Sequence, residues 1–266
     1  MPGVRHNRGM CGRYVSSAST ADLLDEFDVE QVIGEQLRPS WNVAPTNLVR
    51  AVLERPLKED ERPEPSPEAA DPAKPVRQLR GLRWGLVPSW SKDPKGGARM
   101  INARIETVTE KPAFRKAAAR RRCLLPAAGY YEWQKTEDGK VPYFMHDPDG
   151  RLLAMAGLYE LWRDPTLPDD DPNRWLWTCT VITQQAPDLL GEIHDRNPVL
   201  VPHDLQAAWL DCSSDDPATA RKLLDAIPPA RLEPYVVSPA VGNVRNDGPE
   251  LIEPAALPPH QEALPL

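Results

Sequence analysis

The strongest limit on the fold comes from strand-length apolar runs broken by turn residues. Leu48–Leu53, Gln78–Trp84, Cys123–Leu125, Val141–His146, Leu152–Ala156 and Trp175–Thr183 are runs of this kind, rich in aliphatic, β-branched or aromatic side chains. Helical patterns fall between and after them. Ser19 and Thr20 cap a predicted helix over Ala21–Phe27, and further helices are expected at Pro112–Arg120, Pro187–Ile193, Asp204–Leu210 and Pro217–Ala226. Asp147-Pro148-Asp149-Gly150 predicts a hairpin joining its flanking runs, and Trp41–Thr46 reads as a turn-rich loop. Short strands interleaved with short helices predict an α+β fold. The expected form is a single domain with a curved, mainly antiparallel β-sheet or barrel-like core and helices around it.

Proline punctuates the chain. Residues 56–75 and 164–173 are acidic and proline-rich, a composition that cannot pack a core, and are expected to be surface loops inserted in the domain. Residues 1–9 read as an N-terminal extension, 10–254 as the catalytic domain and 255–266 as a loose tail.

Hydrophobic residues make up 41% of the 266-residue chain, enough for a sizeable core, and no apolar run approaches membrane-span length. No apolar stretch follows Arg5 and Arg8 to make a signal peptide. Cys11, Cys123, Cys179 and Cys212 lack metal or redox spacing, so reduced thiols and a cytoplasmic location are expected. The five His form no zinc pattern, so no metal and no cofactor are expected. The net charge is −7, yet Lys95 to Arg122 carries nine basic residues against Glu106 and Glu110. A patch of that kind can meet phosphates, although for a charge cluster alone a solvated helix face is the favoured reading.

Four segments can carry chemistry. With Met10 as initiator and removed, Met10-Cys11-Gly12-Arg13 would make Cys11 the first residue. Its α-amine and thiol titrate near ~8 and ~8.5. Together they can condense with an aldehyde to close a five-membered thiazolidine. Glu132 lies between Tyr131 and Trp133, where lost hydration would raise its pKa and suit it to general acid work. An outward strand position would leave it an ordinary carboxylate. His194 can move protons near neutral pH, and Arg196 beside it can hold a phosphate. Asn102 and Arg104, two apart on a strand, share a face. Trp41, Trp84, Trp90 and Trp133 offer π surfaces for single-stranded bases or for the core.

The ordered set of motifs resembles the SRAP family (SOS response-associated peptidase, the abasic-site processing proteins). It comprises Met10-Cys11-Gly12-Arg13, Trp41–Thr46, Trp84–Trp90, Ile101–Thr107, Gly129–Trp133, Thr180–Thr183, Ile193–Arg196 and Ala240–Val244. The resemblance implies a sensor of abasic sites in single-stranded DNA, with Cys11 forming a DNA–protein crosslink and Asn102, Glu132 and His194 as catalytic residues. It implies DNA-backbone contacts at Arg13, Arg104 and Arg196, and base stacking at Trp90. Single-stranded DNA is thus the expected partner. Proteins of the replication fork are further partners it allows, no membrane is expected, and the expected state is a monomer, nucleoid-associated in a bacterium. Two departures stand out. The numbering begins nine residues before Met10, so initiation at Met10 or cleavage before Cys11 is required, and Asn197 follows Arg196 where Met or Arg is expected.

Two other functions fit some of these residues. A Cys-dependent peptidase or autopeptidase would use Cys11 as nucleophile and His194 as base, with no need for a free amine. A non-covalent single-strand DNA-binding module would use Trp and Arg alone.

Overall fold

The structure, a computed structural model, describes residues 12–58, 61, 74–186 and 188–256. The first half of the chain forms β1 (Tyr14–Ser16), α1 (Thr20–Glu26), β2 (Gln31–Ile33), β3 (Ser40–Val43), β4 (Leu48–Pro56), β5 (Pro75–Trp84) and β6 (Asn102–Arg104). Next come α2 (Arg115–Arg120), β7 (Arg122–Ala127), β8 (Gly129–Thr136), β9 (Gly139–His146) and β10 (Leu153–Arg163). The last elements are β11 (Trp175–Gln185), α3 (Asp188–Ile193), β12 (Arg196–Pro198), α4 (His203–Leu210), α5 (Pro217–Ala226) and β13 (Glu233–Val236).

The expected α+β class with a curved, mainly antiparallel core is what the chain forms. One sheet has five strands in the order β13-β9-β8-β1-β3, all antiparallel. The other runs β12-β11-β10-β7-β4-β5-β2 with β6 alongside β11. A parallel pairing of β5 with β11 closes β11, β10, β7, β4 and β5 into a small barrel.

Strand alternation divides the core. Val49, Ala51, Leu53, Leu82, Cys123, Leu125, Met155, Cys179 and Val181 face the barrel interior and share one cluster with Tyr14, Tyr130 and Tyr143 of the smaller sheet. The opposite face of the barrel strands, including Val52, Leu124 and Ile182, packs under Ala117, Trp209 and Leu224 of the helices. The interior is tight at Gly157, where an added Cβ would lie 2.3 Å from Leu125 Cδ1 and 2.9 Å from Cys123 Sγ. Cys123, Cys179 and Cys212 are free thiols, the first two buried, and burial pushes both of those up.

Three local expectations need correction. The Asp147–Gly150 turn forms, with Gly150 at φ +73° and its N–H on Asp147 O at 3.0 Å, but it makes no hairpin. β9 pairs with β8 and β13, whereas β10 pairs with β7 and β11. Turn chemistry specified the reversal, and two runs buried along most of their length each found partners in a different sheet. Trp41-Asn42-Val43 is strand rather than loop, paired on β1, and the turn is confined to the residues after it, with Thr46 at φ +71°. The helix expected from Pro112 starts only at Arg115, where Phe114 supplies no side-chain cap. Most of the 56–75 segment and nearly all of the tail lie outside the described residues; the 164–173 segment joins β10 to β11 as a series of turns.

Candidate functional site

The start of the smaller sheet builds one wall. β1 runs antiparallel to β8 with Tyr14 opposite Tyr130 and Val15 opposite Gly129. The Tyr131 N–H donates to Arg13 O at 2.9 Å, so the pairing continues past the strand's nominal end. One step further along this register sets Gly12 across from Glu132. Cys11 itself lies outside the described residues.

Glu132 is 3% exposed. Alternation puts it on the face of β8 that carries Tyr130, and its cross-strand neighbour on β9 is Tyr143. Both tyrosines belong to the central core, so the carboxylate points into it rather than outward.

A second wall comes from β6. Its three residues run parallel to β11 with Asn102 opposite Val181 and Arg104 opposite Thr183. Val181 faces the central core, which gives Asn102 the same orientation, while Ala103 packs on the helix side. Arg104 is exposed. The buried Trp84 indole fixes this wall, donating from Nε1 to Ile101 O at 2.9 Å and meeting Tyr14 edge-on at 5.4 Å.

His194 closes the third side. α3 packs against β8, and Leu190 and Ile193 reach the central core. The backbone then turns into β12, which pairs with the end of β11. The Arg196 N–H donates to His194 Nδ1 at 3.1 Å, which leaves Nε2 as the proton-bearing nitrogen of the neutral ring. The three polar residues Asn102, Glu132 and His194 thus come from adjoining elements around one core.

The arginines divide. Arg13 Nη1 donates to Asn42 Oδ1 and Val241 O, both at 2.8 Å, and its guanidinium lies 5.7 Å from the Trp133 ring centroid. Arg196 clasps Glu106 with two nitrogens, at 2.5 and 3.0 Å, and also donates to Thr183 O at 2.6 Å. Those two guanidiniums brace the walls, whereas Arg104 and Trp90, which is 66% exposed, face solvent. Trp84 is core. Asn197 is buried on β12 opposite Gln184, and its Oδ1 has no hydrogen-bond partner among the described residues.

The basic segment is also thinner than its sequence count. The buried Arg122 spends its guanidinium on the carbonyls of Ala118, Ala119, Trp209 and Asp211, and Arg121 pairs with Glu160 at 2.7 Å. Lys95, Arg99, Lys111, Arg115, Lys116 and Arg120 remain exposed.

The family model for SOS response associated peptidase (SRAP) matches residues 10–244. The chain belongs to the SRAP family. It is 36% identical over 246 residues to Abasic site processing protein YoqW of Bacillus subtilis, covering 92% of this chain and 99% of that one. It is 31% identical over 281 residues to Abasic site processing protein HMCES of Gallus gallus, covering 93% and 79%. A solved structure from Bacteroides thetaiotaomicron superposes with a TM-score of 0.71 over 92% of this SRAP chain and 100% of its own, at 21% identity, a likeness of fold. Among the described residues no helix is long and apolar enough to cross a membrane.

Sequence reasoning gave no role to two residues that organise this SRAP site. Asn42 is 3% exposed and ties Arg13 to the carbonyls of Val241, Asn243 and Asn246. Glu106 holds Arg196. Both lie inside motifs visible in the sequence, but nothing in their spacing pointed to partners so distant in the chain.

Proposed function

We propose that this protein captures abasic sites in single-stranded DNA through a covalent bond to Cys11. Family membership and relatives named as abasic site processing proteins support that reading. The observation that carries it is the β1–β8 register, which leads the chain next to Cys11 alongside the buried carboxylate of Glu132.

The chemistry follows from the groups. Glu132 protonates the ring oxygen of the closed sugar and assists opening to the aldehyde. The Cys11 α-amine adds to C1′ and water leaves, giving an imine. The thiol then adds across the C=N bond: sulfur bonds to carbon, the proton goes to nitrogen, and a thiazolidine closes. A bare imine would promote β-elimination and strand cleavage, whereas the ring removes that electron sink. His194 carries protons between these steps, and Asn102 orients the sugar. Trp90 supplies an exposed stacking surface, and Arg104 a solvent-facing charge for the phosphate chain. Arg13 and Arg196 position the walls beside it.

Intact-mass measurement before and after incubation with single-stranded DNA holding one abasic site tests this reading. A chain beginning at Cys11 should gain the DNA mass less one water, and Cys11→Ala should form no stable adduct. A chain that begins at Cys11 and gains nothing would overturn the crosslinking mechanism in favour of thiol peptidase chemistry. A chain retaining residues 2–10 and gaining nothing would direct attention to maturation.

A further inference from the structure

The barrel has a second mouth, away from Asn102. Trp177 and Val181 both point into the interior, and four residues of strand separate them by roughly 13 Å. Every barrel strand contributes to this mouth. β4 supplies Arg55, in line with Leu53 and Ala51; β5 supplies Gln78 and Arg80, in line with Leu82; β10 supplies Tyr159; β11 supplies Trp177. Arg121 enters at the head of β7.

The result is a ring of cations on an aromatic floor. Tyr159 and Trp177 stack with centroids 5.8 Å apart. Arg80 and Arg55 lie 4.4 and 5.0 Å from the Trp177 centroid, and Lys58 lies at 6.0 Å. Arg80 is only 8% exposed. Two carboxylates face these cations: Glu160 pairs with Arg121 at 2.7 Å, and Glu61 pairs with Arg80 at 2.6 Å. Arg55 Nη1 and Arg121 Nε are buried and have no hydrogen-bond partner among the described residues. Burial lowers the Arg80 pKa, Glu61 raises it, and the charge of Arg55 lowers it again, so the guanidiniums crowd one another.

Such an arrangement is costly without an anion, because buried donors and like charges both need a counter-group. Glu61 and Glu160 are the anions present, each paired with one guanidinium. These two carboxylates leave Arg55 Nη1 and Arg121 Nε without a partner among the described residues. A phosphate has more oxygens and more charge, and guanidinium forks match it in geometry.

We propose that this lower mouth is a phosphate-binding site, formed by Arg55, Arg80 and Arg121 over Trp177, with Glu61 as a resident carboxylate that a phosphate displaces. The site is independent of the crosslinking chemistry. Its phosphate comes either from a free small anion or from a nucleic-acid backbone.

Calorimetric titration of the full chain with inorganic phosphate tests the proposal, with a single-stranded oligonucleotide lacking any abasic site as a second ligand. Saturable phosphate binding is expected, tightened about threefold or more in Glu61→Gln and weakened about tenfold or more in Arg55→Gln. Arg55→Lys, which keeps the charge and the fold but loses the fork, should also weaken it. Loss of oligonucleotide affinity in Arg55→Lys would identify the backbone as the source; loss confined to inorganic phosphate would identify the free anion. Absence of saturable phosphate binding in Glu61→Gln, or equal affinity in Arg55→Lys and the parent chain, overturns the site.

Discussion

The backbone N–H of Arg196 reaches Nδ1 of His194 at 3.1 Å, and this contact decides what the imidazole can do. Nδ1 also lies 3.3 Å from Asp195 Oδ1 and from Arg196 O. In the neutral ring Nδ1 accepts from the amide. That amide contact fixes the ring's orientation beside the carboxylate of Asp195. A ring held in one orientation by the backbone is what a proton carrier needs. His194→Ala is expected to slow adduct formation by about 10²-fold or more. Binding of DNA without an abasic site should not change. Quenched time courses resolved on denaturing gels read the rate, and a variant as fast as the parent would remove His194 from the mechanism.

Glu132 separates function from stability. A carboxylate 3% exposed in an aromatic setting has lost most of its hydration. Glu132→Gln keeps the shape and hydrogen-bonding capacity while removing the acid. The expected result is a crosslinking rate lower by about 10²-fold with an unchanged or raised melting temperature. A parallel drop in melting temperature and rate would assign Glu132 a structural role instead.

Trp90 gives the cleanest probe of DNA contact, since its 66% exposure means that its removal costs the fold little. Trp90→Ala should weaken non-covalent binding of single-stranded DNA by about 1–3 kcal/mol, the worth of one stacked base. Fluorescence anisotropy with a labelled oligonucleotide measures it, and unchanged affinity would place the strand elsewhere.

Legibility of this protein in its sequence follows the range of the interactions. The strands of Leu48–Leu53, Gln78–Trp84 and Trp175–Thr183 and the helix Pro217–Ala226 were readable because local pattern and caps determine them. Strand partners were not: a well-formed turn at Asp147–Gly150 suggested a hairpin, and only burial on both faces sent the two strands to different sheets. Chemical residue types were likewise visible at Glu132, Asn102 and His194. The destinations of the charges were hidden. Arg122 looks like its surface neighbours in sequence, yet folds inward onto four carbonyls, and Arg196 meets Glu106 across 90 residues.

The Arg196–Glu106 clasp makes stability depend on pH. The hydrogen bond from Arg196 holds the Glu106 carboxyl below its ordinary value, against the opposing effect of burial. A depressed folded pKa contributes stability above the unfolded value of about 4.3, and that contribution fades as pH falls through the folded value. The side chain of Glu106 is 50% exposed, so screening keeps the effect within about 1 kcal/mol. Glu106→Gln should therefore melt earlier than the parent at pH 7, and the gap should close as pH falls through the depressed folded value. A gap that stays constant across this range would mean that the carboxylate charge contributes nothing.

Asn42 is the residue whose loss should be felt furthest from its position. Its Oδ1 accepts from Arg13, and its Nδ2 lies 2.7, 3.1 and 3.3 Å from the carbonyls of Asn246, Asn243 and Val241. One buried amide thus joins β3, the residue preceding β1 and the segment after β13. Asn42→Ala leaves a half-buried guanidinium and several carbonyls without that partner, at an expected cost of about 2–4 kcal/mol in urea unfolding. Because Arg13 lies two residues from Cys11, the same variant should also slow crosslinking at temperatures where it remains folded. Asn42→Asp keeps an acceptor for Arg13 but cannot donate to the carbonyls. Its expected pattern is a loss of stability with most of the crosslinking rate retained. Equal loss of rate in the two variants would show that the carbonyl contacts, rather than the hold on Arg13, set the geometry of the N-terminal strand.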